Sequence, residues 1–181
     1  MKAERCSIAD VLLLEPKVFS DARGFFLENY NKRAFRQATG LEVEFVQDNH
    51  SRSSKNVLRG LHYQLRQPQG KLVRVTAGEI WDVAVDLRRG SKSFGRWTAA
   101  TLSAESHRML WVPAGFAHGF IVLSEHAEVQ YKTTDYYAPE HERTLLWNDP
   151  ALAIAWPLAG EPVMTDKDRR GTLLASAETF E

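Results

Sequence analysis

Between residues 43 and 137 the chain breaks into short runs rich in valine, isoleucine, threonine and aromatic residues: VEFVQDN, KLVRVTA, EIWDVAVDL, RWTAATL, RMLWVP, GFIVLS and AEVQYKTTDYY. Turn residues separate them, as expected of half-buried strands. Helical signals are few. NKRAFRQATG sets polar residues around Ala34, Phe35 and Ala38 and stops at Gly40, the expected place for a C-terminal cap. TDKDRRGTLL opens a second short helix, with Thr165 and Asp168 at capping-box spacing. Many short strands with so few helices predict an all-β sandwich or barrel. No repeat, linker or low-complexity segment divides the chain, so a single domain over residues 1–181 is expected.

Alternation along KLVRVTAGEIWDVAVDL places Lys71, Val73 and Val75 on one strand face and Leu72, Arg74 and Thr76 on the other, with Ala77-Gly78 as the turn into the next strand. A lysine therefore shares a face with two valines. Lys plus Arg and Asp plus Glu balance at 23 each, so no overall basic field recruits nucleic acid or an anionic membrane, and any anion must be held locally. The single Cys6 has no partner for an intramolecular disulfide. MKAERCSIADVLLLEP holds only four consecutive apolar residues, short of a signal-peptide core or a membrane span, and a cytoplasmic location is expected.

RGLHYQ, residues 59 to 64, puts an imidazole inside a strand-like run. Taken alone, His62 reads as a metal ligand, a proton-transfer base, or a core histidine bonded to a neighbour. The wider pattern separates these readings. DARGFFLENY, FVQDNHSRS, LRGLHYQ, QGKLVRVTAGEIWDVAVDLRRGS, FGRW, WVPAGFAHGF, QYKTTDYYAPEHERTLLWNDP and IAWP, in that order, resemble the dTDP-4-dehydrorhamnose 3,5-epimerase family over nearly the whole chain. PAGFAH alone occurs across cupins; the ordered set is specific.

The resemblance implies a cupin-type double-stranded β-helix (jelly roll), and a metal-free, cofactor-free enzyme. Such an enzyme inverts C3 and C5 of dTDP-4-keto-6-deoxyglucose to give dTDP-4-keto-L-rhamnose. By matching position, His62 is the base, Asp168 its carboxylate partner and Tyr131 the acid that returns a proton, while Lys71 faces the C4 oxygen. The same carry-over sets Arg23, Glu28, Gln47, Asn49, Arg59, His118, Glu142 and Lys167 around the substrate and its diphosphate, and Tyr137 against the thymine ring. Thr165 stands where relatives carry a serine, and Asp166 adds a second acid beside Asp168. The resemblance also implies a homodimer in which N-terminal strands cross to the partner.

The chemistry suits these residue types. Removing a proton next to a ketone drives charge onto the carbonyl oxygen, and a preorganised cation there is worth roughly 3 to 4 kcal/mol in a dry site. Histidine, with an ordinary pKa of about 6.5, is largely neutral and able to accept the proton near pH 7. In a metal-binding cupin the ligand slots would fall on His62, Gln64, Lys71 and His118; an ammonium in that set repels a divalent cation. Arg23 and Arg59 suit diphosphate, because guanidinium forks match phosphate oxygens. Bland readings stand beside these: Asp168 as a helix cap, Lys71 as a snorkelling stem, Tyr131 as a core aromatic, and His118 as a supporting residue.

Three functions compete on sequence: the epimerase, a metal-dependent cupin oxygenase or isomerase, and a non-catalytic sugar-nucleotide barrel. Relatives that act at C5 alone or C3 alone share the framework and remain an alternative.

Overall fold

The computed structural model describes residues 1–181. In chain order the strands are β1 (Lys2–Arg5), β2 (Leu12–Glu15), β3 (Val18–Asp21), β4 (Gly24–Leu27), β5 (Gln47–Ser54), β6 (Leu58–Gln64), β7 (Lys71–Ala77), β8 (Glu79–Asp86), β9 (Trp97–Ser103), β10 (Met109–Val112), β11 (Phe116–Val122), β12 (His126–Thr133) and β13 (Glu142–Thr144). Helix α1 spans Lys32–Thr39 and the single turn α2 spans Asp166–Arg169. Two antiparallel sheets, β1-β2-β10-β7-β12-β5 and β13-β6-β11-β8-β9, form the cupin-type jelly roll; β3 and β4 pair only with each other.

Side-chain alternation divides the core into three layers. Val73, Val75, Ile80, Ala84, Phe120 and Val129 meet between the two sheets. Leu58, Leu61, Val83 and Val85 face outward, beneath the C-terminal segment that carries Leu152 and Trp156. Leu72, Met109 and Trp111 cover the outer face of the other sheet together with Phe35 of α1. Val73 and Leu72 thus lie on opposite faces of β7, as the alternation requires. Burying a side chain of this size stabilises by roughly 1.5 to 3 kcal/mol, so each layer depends on keeping its register.

Local signals account for the helices. Asn31 accepts the N–H groups of Arg33 and Ala34 at 3.0 and 3.1 Å, and Gly40 ends α1 at φ 75° with its N–H on the Arg36 carbonyl. Thr165 caps α2 by accepting the Asp168 N–H at 3.3 Å.

Strand boundaries differ from the sequence reading most at β5 and β12, by four or five residues. β5 starts at Gln47 instead of Val43, and its polar QDNHSRSS is a strand because every residue pairs with β12, from Gln47↔Thr133 to Ser54↔His126. β12 stops at Thr133, whose hydroxyl donates to the Asp135 carbonyl and turns the chain before the tyrosines. Pairing partners, invisible in local composition, decide both.

Candidate active site

The mouth of the barrel is lined by residues whose neighbours are committed elsewhere. Leu61 and Tyr63 pack on the outer layer, so His62 between them turns inward. His118 of β11 is its Cα partner. The two backbones run close here: at Gly60, φ 120°, an added Cβ would lie 2.6 Å from the Gly119 Cα, so glycine is required. The C-terminal segment is tied to this region by the Leu58 N–H on the Val163 carbonyl and by the Leu145–Thr172 bridge. That tie brings α2 up against β6.

Asp168 is buried and meets His62 directly, with Oδ1 2.6 Å from His62 Nε2; its other oxygen accepts the Gly60 N–H at 3.4 Å. Burial opposes ionisation of this carboxyl, but the bond and charge of His62, the Gly60 N–H and Lys167 outweigh it and hold its pKa below the usual range. The capping box is half-made. Thr165 accepts the Asp168 N–H, while the Asp168 carboxylate serves His62 instead of the cap. Asp166, beside it, is exposed.

Lys71 is buried at the start of β7, and its Nζ donates to the His62 carbonyl at 3.4 Å. Burial lowers its pKa to about 8, against the opposing charges of Asp82 and Glu142. Tyr131 packs inward beside Val129, and burial raises its hydroxyl pKa, with Arg59 opposing and Glu142 and Tyr137 adding to the rise. It therefore keeps its proton at neutral pH.

A rim surrounds this group. Tyr137 donates to the Glu142 carboxylate at 3.0 Å and Lys167 Nζ lies 2.7 Å from the same oxygen. Burial pushes the Glu142 carboxyl up, and Lys167, His62 and the Tyr137 hydroxyl pull it below its usual range. Gln47 donates to Asn49 at 2.9 Å and accepts the Tyr137 N–H at 3.0 Å. Arg59 Nε donates to Ser53 Oγ at 2.9 Å.

Two expected residues stay apart from this cluster within one chain. Arg23 sits at the turn of the β3–β4 hairpin with its guanidinium on Asp21 at 2.6 Å, and Glu28 accepts from Asn31 at 3.2 Å.

The sequence reading missed Asp82 and the role of Gln64. Asp82 is fully buried, and His118 Nε2 donates to both its oxygens at 2.8 and 3.0 Å. Its signal was available: it is the only charged residue inside Ile80–Val85. Buried Gln64 donates to the carbonyls of Gln67 and Tyr136 and accepts the Ala138 N–H at 2.9 Å, fixing the segment that carries Tyr137.

Comparison with known proteins gives the family. The family model described as dTDP-4-dehydrorhamnose 3,5-epimerase matches residues 5–176. A protein of that name from Pseudomonas aeruginosa is 64% identical over 180 residues, covering 99% of each chain. The crystal structure of a dTDP-6-deoxy-D-glucose-3,5-epimerase from Legionella pneumophila, in complex with dTDP-4-keto-L-rhamnose, superposes with TM-score 0.95 at 48% identity, covering 98% of this chain and 94% of that one. A 3'-monoepimerase from Streptomyces bikiniensis, in complex with dTDP-quinovose, superposes with TM-score 0.89 at 35% identity, covering 97% and 88%. With the match running through both sheets and the C-terminal segment that delivers Asp168, this chain belongs to the dTDP-4-dehydrorhamnose 3,5-epimerase family.

Proposed function

We propose that the protein epimerises dTDP-4-keto-6-deoxy-D-glucose at C3 and C5 to dTDP-4-keto-L-rhamnose, without metal or organic cofactor. The observation that carries this reading is the 2.6 Å His62–Asp168 pair, beside an ammonium that is itself bonded to the His62 carbonyl.

His62 Nε2 is committed to Asp168, which leaves Nδ1 to take the proton from the carbon next to the C4 ketone. Asp168 fixes the tautomer and stabilises the imidazolium. The electron pair of the broken C–H bond moves onto the C4 oxygen, where the Lys71 ammonium balances it. Tyr131 then donates its hydroxyl proton to the opposite face of the carbon, which inverts the centre. Solvent restores the proton to Tyr131 and removes the one on His62. Arg59, Gln47, Asn49, His118, Glu142 and Lys167 hold the sugar and diphosphate, and Tyr137 stacks on the thymine.

Arg23 and Glu28 complete the site in a homodimer. Phe19, Phe25 and Phe26 of their hairpin are 52, 62 and 70% exposed, an apolar surface that a second subunit would cover. The outer face of the larger sheet offers a groove of about 630 Å³ lined by Tyr30, Leu72, Arg74 and Met109. No helix is long and apolar enough to cross a membrane, and the dTDP-sugar substrate fits a cytoplasmic enzyme.

Incubation of purified protein with dTDP-4-keto-6-deoxyglucose, with the product followed by NMR, tests the reaction. Inversion at both carbons supports it. Inversion at one carbon alone would assign the chain to the C5-only or C3-only relatives, and no inversion would reject an epimerase.

A further inference from the structure

Of the buried carboxyls that take no part in the proposed reaction, Asp82 is the one bonded to a histidine. Asp82 has 0% exposure, and its two oxygens share a single side-chain donor, His118 Nε2. A buried carboxylate of this kind is a poor stabiliser beside apolar residues of the same volume, so packing alone does not explain it. Its position suggests a use. Ile80 and Ala84, two residues to either side on β8, face the layer between the sheets, and alternation points Asp82 the same way, toward β7. On β11, His118 lies between inward-facing Phe116 and Phe120.

Lys71 enters the same space from β7. It is a buried ammonium whose one hydrogen bond goes to a backbone carbonyl and not to a carboxylate. The ionisable groups around the chamber are His62 and Arg59 from β6, Asp82 from β8, His118 from β11, Tyr131 from β12, Glu142 from β13, and Lys167 and Asp168 from α2. Among the carboxylates, Asp168 is committed to His62, and Glu142 to Lys167 and Tyr137 at the rim. Asp82 is the one left at the inner end. Its charge is also the largest influence holding the Lys71 pKa up against burial.

We infer that Asp82 is a positioning residue: it fixes the His118 ring through Nε2 and supplies the buried negative charge that keeps Lys71 an ammonium, ready for the C4 oxygen. The chemistry rests on the function proposed above. The test does not, because it reads Lys71 directly.

The protein is labelled with ¹³C at the lysine ε-carbon and titrated by NMR, with the Lys71 signal assigned by its loss in Lys71→Met. In Asp82→Asn, which keeps the shape of the side chain, Lys71 titrates about one pH unit or more below wild type, the effect of removing a nearby opposite charge. The basic limb of kcat/KM moves acidward with it. Coincident titrations in the two proteins overturn the inference, whether or not the proposed reaction is observed. If Asp82→Asn does not fold, His118→Asn decides: the charge of Asp82 remains, so Lys71 titrates near its wild-type position. An acidward shift of a full unit there would assign control to the histidine and overturn the role of Asp82.

Discussion

His62 and His118 are Cα partners on adjacent antiparallel strands, and each turns Nε2 to a different buried carboxylate, Asp168 for one and Asp82 for the other. Access separates them. The His62 side chain is 27% exposed and the His118 side chain 8%, so the first is the more open to a sugar at the barrel mouth. In the proposed reaction, the same pairing serves a base in one place and a more enclosed histidine in the other.

Lys71→Met should lower kcat roughly 10²–10³-fold, the usual cost of removing one oxyanion-stabilising group, with little change in KM. In the proposed reaction the ammonium is the active form, so activity should fall as pH rises through about 8, where Lys71 loses its proton. Steady-state kinetics across pH 6 to 10 checks both. A rise in KM alone would move Lys71 to the diphosphate.

Tyr131→Phe keeps the ring and its packing but removes the hydroxyl proposed as the proton donor. His62 should still form the enolate, so solvent deuterium should still enter the substrate while inverted product falls sharply, most of all at C5. Exchange and product measured on the same sample decide the matter. Equal loss of both would give Tyr131 a binding role.

Gln64→Leu removes the amide that fixes Tyr136 and Ala138 on either side of Tyr137. KM should rise about tenfold, the scale of one or two lost hydrogen bonds, with kcat within about threefold of wild type. A large fall in kcat at constant KM would contradict a role through the Tyr137 segment.

Acid stability should depend on Asp86, whose side-chain partners Arg88, Ser91 and Ser93 are outside the proposed site. Burial raises its carboxyl pKa, but Arg88, Ser91 and Ser93 outweigh this and hold it at about 2. A folded-state pKa below the unfolded one gives stability that is present above the unfolded value near 4 and lost as pH falls toward 2, on the order of 2 kcal/mol. Denaturant melts at pH 6 and pH 2.5 should show a smaller pH-dependent loss in Asp86→Asn than in wild type.

Much of the fold was legible because strands with one face in the core alternate: Lys71, Val73 and Val75 could be assigned to one face from sequence alone. β5 was not, since QDNHSRSS carries no apolar alternation and is a strand only through β12. The β3–β4 hairpin gave no alternation either, as Phe19, Phe25 and Phe26 stay more than half exposed, with Phe25 against the His107 ring. In the site, the choice between Asp166 and Asp168 needed the structure: both lie in the first turn of α2, and only the burial of that turn against β6 selects Asp168. Asp82 was readable as a lone charge in an apolar run, but its partner His118 lies 36 residues away, beyond any local pattern.

The claim that one histidine serves both carbons is tested most directly by incubating wild type and His62→Ala with dTDP-4-keto-6-deoxyglucose in D2O and following deuterium at C3 and C5 by NMR. Wild type should exchange at both positions. His62→Ala, folded by circular dichroism, should lose exchange at both together, by roughly 10²–10⁴-fold, the cost of removing a positioned base. Exchange at either carbon persisting near the wild-type rate in His62→Ala would contradict the account.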